Sequence, residues 1–293
     1  MAVLGSGTSN GGCSLLHAAG LGYGASLALD LPVKVRLLDK EPRRELDDPD
    51  NLLGQVMTTW TNAGNPVPEG DLFWSVTSSI PPRQGLKSSS AVCVAAFKAL
   101  CEATGVQIEN SQIVDLSAAA QIAAGVSLTG SFDDSWAALE GGWKLVDINA
   151  EDAQSGLLLE SPGPSADDWK VVIVCRGDRQ KRPQLDDFTF HQQTFVQALN
   201  ALQEGNDLVA LTWNGRGVVG VLNDPTGRKL TNDAFVNGAR AAGISGSGPA
   251  IAIFVPAVSA QSIERIKKWY SKFDDVNLIE TSVINAELTS MDE

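Results

Sequence analysis

The sequence predicts an α+β fold in two domains, and three features carry that reading. Strand-like and helix-like segments mix without the regular alternation of a doubly wound sheet. Residues 150–168 are polar and contain Pro162, Gly163 and Pro164, the stretch best suited to a domain junction. At 293 residues the chain has room for two domains of ordinary size. The expectation is a first domain over 1–160 and a second α+β domain over 161–293.

The elements follow in order. Gly20 to Gly24 is a glycine-rich bend leading into the apolar run Ala25 to Leu31. Val33-Lys34-Val35-Arg36-Leu37 alternates apolar and charged residues, the period of a half-exposed strand. Residues 41–50 are charged and hold Pro42 and Pro49, so they form a loop before a helix over Asn51 to Asn62. Phe73 to Ser78 is a strand. From Ser90 to Ala103, Val92, Ala95, Ala96, Ala99 and Leu100 fall on one helical stripe, with Gly105 as the stop. A further helix covers Ser111 to Ala124. Trp143 to Ile148 is a strand, and the continuous apolar core of Lys170 to Arg176 marks a buried one. Helices are expected over Asp187 to Glu204, Asp207 to Asn214, Thr231 to Ala241 and Ser259 to Lys272. Strands are expected over Ala250 to Val255 and within Val276 to Ile284.

The segment from Pro81 to Ala91, P-P-R-Q-G-L-K-S-S-S-A, carries the chemistry. A Pro/Gly turn opens into three serines at the start of an alanine-rich helix. Glycine lets a backbone approach a ligand closely. A helix start offers unpaired N–H groups and the positive end of a dipole. The loop is therefore expected to hold the phosphates of a nucleotide. It is not a Walker A loop, because no glycine immediately precedes Lys87. A second glycine loop, Gly243-Ile244-Ser245-Gly246-Ser247-Gly248-Pro249, lacks the third glycine of a dinucleotide fingerprint.

Composition excludes several classes. A net charge of −13 repels nucleic acid and anionic membranes, so phosphate binding here must rely on local dipoles, a few cations and a metal. The four cysteines form no C-x-x-C pair and there are only two histidines, His17 and His191, which argues against a zinc cluster or a histidine triad. No apolar stretch reaches the ~18 residues of a membrane span, and Met1 to Leu16 lacks the pattern of a signal peptide. A cytoplasmic protein is expected.

Three motifs in order, P-x-x-x-G-L-x-S-S, T-G-S-F-D-D (Thr129 to Asp134) and G-I-S-G-S-G-P, resemble the GHMP superfamily of small-molecule kinases. In that superfamily the first motif reads P-x-x-x-G-L-G-S-S-A, and the late glycine motif packs against it. Here Lys87 replaces the third glycine, a variant similar to the archaeal-type shikimate kinases, which also carry T-G-A-F-D-D-A. Gly24 to Leu31 matches that group's early G-A-A-F-G-I-D-L more loosely. Tyr23 stands where the group has lysine, and the early G-T-x-x-N-A appears only as Gly7-Thr8-Ser9-Asn10 with altered spacing.

The resemblance implies a ribosomal-protein-S5-like N-terminal domain and a ferredoxin-like C-terminal one. It implies ATP and Mg²⁺, and transfer of phosphate to a small-molecule hydroxyl, shikimate foremost. The alternatives are a homoserine, mevalonate-type or sugar kinase, or a nucleotide-binding sensor that has lost transfer. Residues Gly85, Leu86, Lys87, Ser88, Ser89 and Ser90 would cradle the phosphates, with Gly246, Ser247 and Gly248 behind them. Ser89 would ligate Mg²⁺. Asp133 would act as base or orienter of the attacking hydroxyl. Lys87 would add charge to the transferring group or sit solvated at the loop tip. Asp134 would cap a helix, help the metal or touch substrate, and Asp30 would orient an acceptor hydroxyl or face solvent.

Overall fold

The computed structural model describes residues 2–177 and 182–287. The first half runs β1 (Val3–Leu16), β2 (Tyr23–Leu38), α1 (Leu52–Asn62), β3 (Phe73–Ser78), α2 (Ser88–Thr104), α3 (Asn110–Ala123), α4 (Asp133–Glu140), β4 (Trp143–Asp147) and β5 (Leu157–Ser161). The second runs β6 (Trp169–Arg176), α5 (Leu185–Thr189), α6 (Gln192–Gln203), α7 (Asp207–Leu222), α8 (Pro225–Val236), β7 (Ala241–Ile244), β8 (Ile251–Pro256), α9 (Ala260–Tyr270) and β9 (Val276–Thr281). Among the described residues no helix is long and apolar enough to cross a membrane.

Two antiparallel sheets organise these elements. In the first, the order is β1-β2-β4-β5, and the long β2 also pairs with β3 through its second half. The second has the order β7-β8-β6-β9. With helices between β6 and β7 and again between β8 and β9, that is the ferredoxin-like arrangement. The sheets are joined through Pro162 to Asp168. The last described residues return to the first sheet, where Ile284 N–H donates to Ala28 O (3.1 Å) and Gly142 N–H to Ile284 O (2.7 Å). Asn285 Nδ2 then ties the linker by donating to Pro162 O (2.8 Å) and Pro164 O (3.0 Å).

β1 went unread in the sequence because glycine and serine are depleted in strands. Its glycines are what let α2 lie flush on it. A Cβ on Gly5 would strike the backbone of Ala99 and Ala103, and one on Gly7 the carbonyl of Ala95. The facing stripe of α2 is correspondingly small: Ala91, Ala95 and Ala99 are fully buried. Ser9 Oγ donates to Ala91 O (2.6 Å) in the same seam. Phe97 and Leu100 point away into the core with Trp60 of α1; each large apolar side chain so buried contributes roughly 1.5–3 kcal/mol.

Several expected boundaries shift. The helix read over Asp187 to Glu204 breaks at Phe190 and His191 into α5 and α6. The helix read from Thr231 starts earlier, at Pro225, where Asp224 caps it by accepting from Gly227 N–H (2.7 Å). Residues 150–168 contain β5 in addition to the linker.

Candidate active site

The serine loop turns into α2 through three residues with positive φ: Arg83 (58°), Gly85 (78°) and Lys87 (65°). Gly85 needs its freedom twice over, since a Cβ there would overlap Ser245 O and crowd Gly248 N. Lys87 is the N-cap and holds a left-handed conformation that costs a non-glycine residue on the order of 1 kcal/mol. Among the described residues no side chain caps the helix, and Ala91 N–H reaches Lys87 O (3.0 Å). The amides of Ser88 to Ser90 thus form an open helix start.

The second glycine loop supports this turn from behind. Ser245 Oγ donates to Gly85 O (2.8 Å), Ala250 N–H to Gln84 O (3.1 Å), and Gly246 N–H to Ser14 Oγ of β1 (3.1 Å). Gly248 N–H donates to Ser245 O (2.8 Å) and closes the turn. Gln84 fixes the other side: Nε2 donates to Gly177 O (2.8 Å), and Oε1 accepts from Arg176 N–H (3.3 Å) at the end of β6.

In front of the loop lies a cavity of about 840 Å³. Its walls include the Gly85–Ser90 loop, Gly246, Ser247, Asp133, Asp134, His17, Arg83 and Arg182. The three serines divide. Ser90 Oγ is buried and donates to Gln121 Oε1 of α3 (2.8 Å), so its hydroxyl belongs to the core. Ser88 and Ser89 make no side-chain hydrogen bond among the described residues and stand on the cavity wall.

Opposite the loop, Asp133 and Asp134 open α4, where the positive end of the helix dipole favours carboxylates. Asp133 is buried; its Oδ1 accepts from Ser131 Oγ, and its Oδ2 lies 2.7 Å from Ser26 Oγ on β2. Asp134 Oδ1 lies 2.6 Å from the same Ser26 Oγ and 2.7 Å from Lys87 Nζ. Gly24, two residues before Ser26 on the same strand face, leaves the space these carboxylates use, since a Cβ there would meet Asp133 Oδ1. Lys87 is thus no solvated loop tip: its side chain is only 10% exposed.

The electrostatics separate the two acids. Burial, helped by the charge on Asp134, pushes the Asp133 carboxyl up to about 7 from the ordinary 3.8. Burial acts on Asp134 too, but the Lys87 ammonium overcomes it and holds that carboxyl below its ordinary value. Burial likewise disfavours the Lys87 charge, and the two aspartates outweigh it, raising the ammonium's pKa.

Residues 51–142 match the family described as GHMP kinases N terminal domain. The shikimate kinase of Pyrococcus abyssi is 30% identical over 285 residues, covering 93% of this chain and 97% of that protein. The chain belongs to the GHMP kinase family. The shikimate kinase of Pyrococcus furiosus is 27% identical over 293 residues, 94% of this chain and 99% of that one. In fold, this GHMP kinase superposes on the mevalonate kinase of Methanococcus jannaschii with a TM-score of 0.71 at 16% identity, over 96% and 98% of the two chains. The homoserine kinase of Cytophaga hutchinsonii gives 0.65 at 19%, over 96% of each chain. The two-domain α+β fold of the family is therefore present, with its S5-like first half and ferredoxin-like second half.

Asp30 stands apart from the cluster: it is exposed on β2, pairs its N–H with Ser282 O (2.9 Å) and does not line the cavity. Leu86 has a buried side chain and offers only backbone, its carbonyl accepting from Gly12 N–H (3.1 Å). Sequence reasoning passed over Ser26, Ser131 and Arg182. Ser131 sits inside the T-G-S-F-D-D motif, two residues from Asp133, and was open to notice. Ser26 and Arg182 carry no local signal; Arg182 reaches the cavity from beyond β6 and donates to Gly125 O (2.5 Å).

Proposed function

We propose that this kinase transfers the γ-phosphoryl group of ATP to a hydroxyl of shikimate, giving 3-phosphoshikimate, in the cytoplasm. One observation carries the reading: an open helix start and a pair of carboxylates, Asp133 buried and Asp134 part-exposed, face the same cavity, with Lys87 reaching from one to the other. Phosphoryl transfer asks for that combination, because it needs positioning and charge neutralisation more than covalent chemistry. Relatives spanning nearly the full chain and named shikimate kinase support the choice of acceptor.

In this reading the amides of Gly85 to Ser90 cradle the β- and γ-phosphates, and Gly246, Ser247 and Gly248 hold the cradle in shape. Asp133, once ionised, orients the acceptor hydroxyl and takes its proton as the oxygen bonds to phosphorus and the bond to ADP breaks. Lys87 balances the carboxylates and lies close to the transferring charge. Ser89 suits Mg²⁺: it lines the cavity with no side-chain hydrogen bond among the described residues, and this cation is held chiefly by substrate phosphates and water. When bound, Mg²⁺ neutralises phosphate charge. Arg83 and Arg182 are cations on the cavity wall available to an acidic acceptor. Residues 1–160 would form the nucleotide-binding domain and 161–293 the second. ADP release measured with shikimate, homoserine, mevalonate and galactose tests this; turnover on another acceptor and none on shikimate overturns it.

A further inference from the structure

We propose that Ser26 is a positioning residue whose hydroxyl passes a proton between the buried Asp133 carboxyl and the part-exposed Asp134 carboxyl. The inference rests on the reading of Asp133 as the base, and goes beyond it. Its ground is geometric. One hydroxyl, fully buried on β2, stands 2.7 Å from Asp133 Oδ2 and 2.6 Å from Asp134 Oδ1. A hydroxyl has one proton to donate. With both carboxyls ionised, one of these contacts would set lone pair against lone pair in a buried site. Both become hydrogen bonds when the pair holds one proton.

The surroundings say where that proton rests. Lys87 Nζ contacts the same Asp134 oxygen that Ser26 does, so Asp134 is the ionised member. The chain then reads Asp133 Oδ2–H to Ser26 Oγ, Ser26 Oγ–H to Asp134 Oδ1, with the Lys87 ammonium donating to Asp134 as well. Ser131 Oγ–H occupies Asp133 Oδ1. The other titratable group nearby is the buried Cys13 thiol of β1, close enough to feel the Lys87 charge; α3 presents neutral Gln121. Lys144 of β4 is engaged with Glu140 and Glu160 at the far end of α4. Asp133 is 3% exposed, whereas the Asp134 side chain is 27% exposed. Asp134 is thus the exit toward solvent.

In turnover the resting proton leaves first: the Asp133 proton moves to Ser26 Oγ while the Ser26 proton moves to Asp134 Oδ1, and Asp134 gives it to solvent. Asp133, now ionised, takes the acceptor's proton as the new P–O bond forms and the bond to ADP breaks. The pair thereby returns to its one-proton state with Ser26 unchanged. The G-A-A-F pattern that Gly24 to Leu27 resembles has alanine at the position of Ser26. S26A is therefore a substitution the fold accommodates.

The test compares wild type, S26A, S26T and D133N. S26A should keep its KM for ATP, and lose kcat about tenfold, less than the 10²–10⁴ of a lost base because Asp133 remains. In H2O/D2O mixtures the rate of wild type should bow with deuterium content, as two moving protons require, and that of S26A should be linear. S26T, which returns the hydroxyl, should restore both. Unchanged kcat and a bowed response in S26A overturn the relay. Normal turnover by D133N would instead overturn the reading of Asp133 as base, so the two failures are told apart.

Discussion

Asp133→Asn is expected to stabilise the protein at pH 8 while removing its turnover. Unfolded, Asp133 gives up its proton near 3.8; folded, it keeps it to about 7. Between those values the folded state binds more protons, so the contribution of Asp133 is fully present below 3.8 and is lost as pH rises through 7. About 3 pH units at ~1.4 kcal/mol each amount to about 4 kcal/mol by pH 8. Asparagine does not titrate. Its amide reproduces the protonated acid, with Oδ1 accepting from Ser131 and Nδ2 donating to Ser26. At ~2.1 cal/mol/K per residue, a chain of this length gains about 6 °C in Tm from 4 kcal/mol. Thermal melts of both proteins from pH 4.5 to 9 check this. The gap should be under ~2 °C at pH 4.5, widen to about 6 °C by pH 8 and stay flat above. A gap that does not change with pH refutes the argument, because it would mean that burial does not hold a proton on Asp133. The accompanying loss in kcat should be about 10²–10⁴-fold, the cost in stability being what keeps a base near neutrality in a dry site.

Three further outcomes follow from the same geometry. Lys87→Ala removes the cation that opposes protonation of Asp133, so the acidic limb of the kcat profile should move above pH 7. It should also destabilise by roughly 1–3 kcal/mol, since Asp134 loses its partner. Ser89→Ala should raise the Mg²⁺ needed for half-maximal rate about tenfold, the worth of ~1.4 kcal/mol, seen in a metal titration at fixed nucleotide. Gly85→Ala places a methyl on Ser245 O at a φ of +78° and should cost roughly 2–4 kcal/mol in denaturant melts, with weaker ATP binding by calorimetry.

Much of the fold was legible because its signals are local. The alternation of Val33 to Leu37, the alanine stripe of α2 and the apolar core of β6 each specify a period and a buried face. Where two competing signals met, the reading slipped. β1 looks like loop by composition, and only the close approach of α2 turns its glycines into an asset. α5 and α6 share one helical pattern but part at Phe190, which is exposed in the structure. In the site, the loop was legible as a motif, whereas the fate of each serine was not: Ser90 faces Gln121 and its neighbours face the cavity, a matter of helix phase against α3.

The phosphate-type turn, its glycine partner and the paired aspartates were determined by sequence alone, since each is a short run whose spacing has a backbone meaning. Charge state was decided by tertiary structure. Ser26 meets Asp134 across 108 positions of chain, and Lys87 comes to the same oxygen from the start of another helix. Whether a carboxyl holds its proton depends on how much water it loses and which charges stand within a few ångströms, and folding alone sets both.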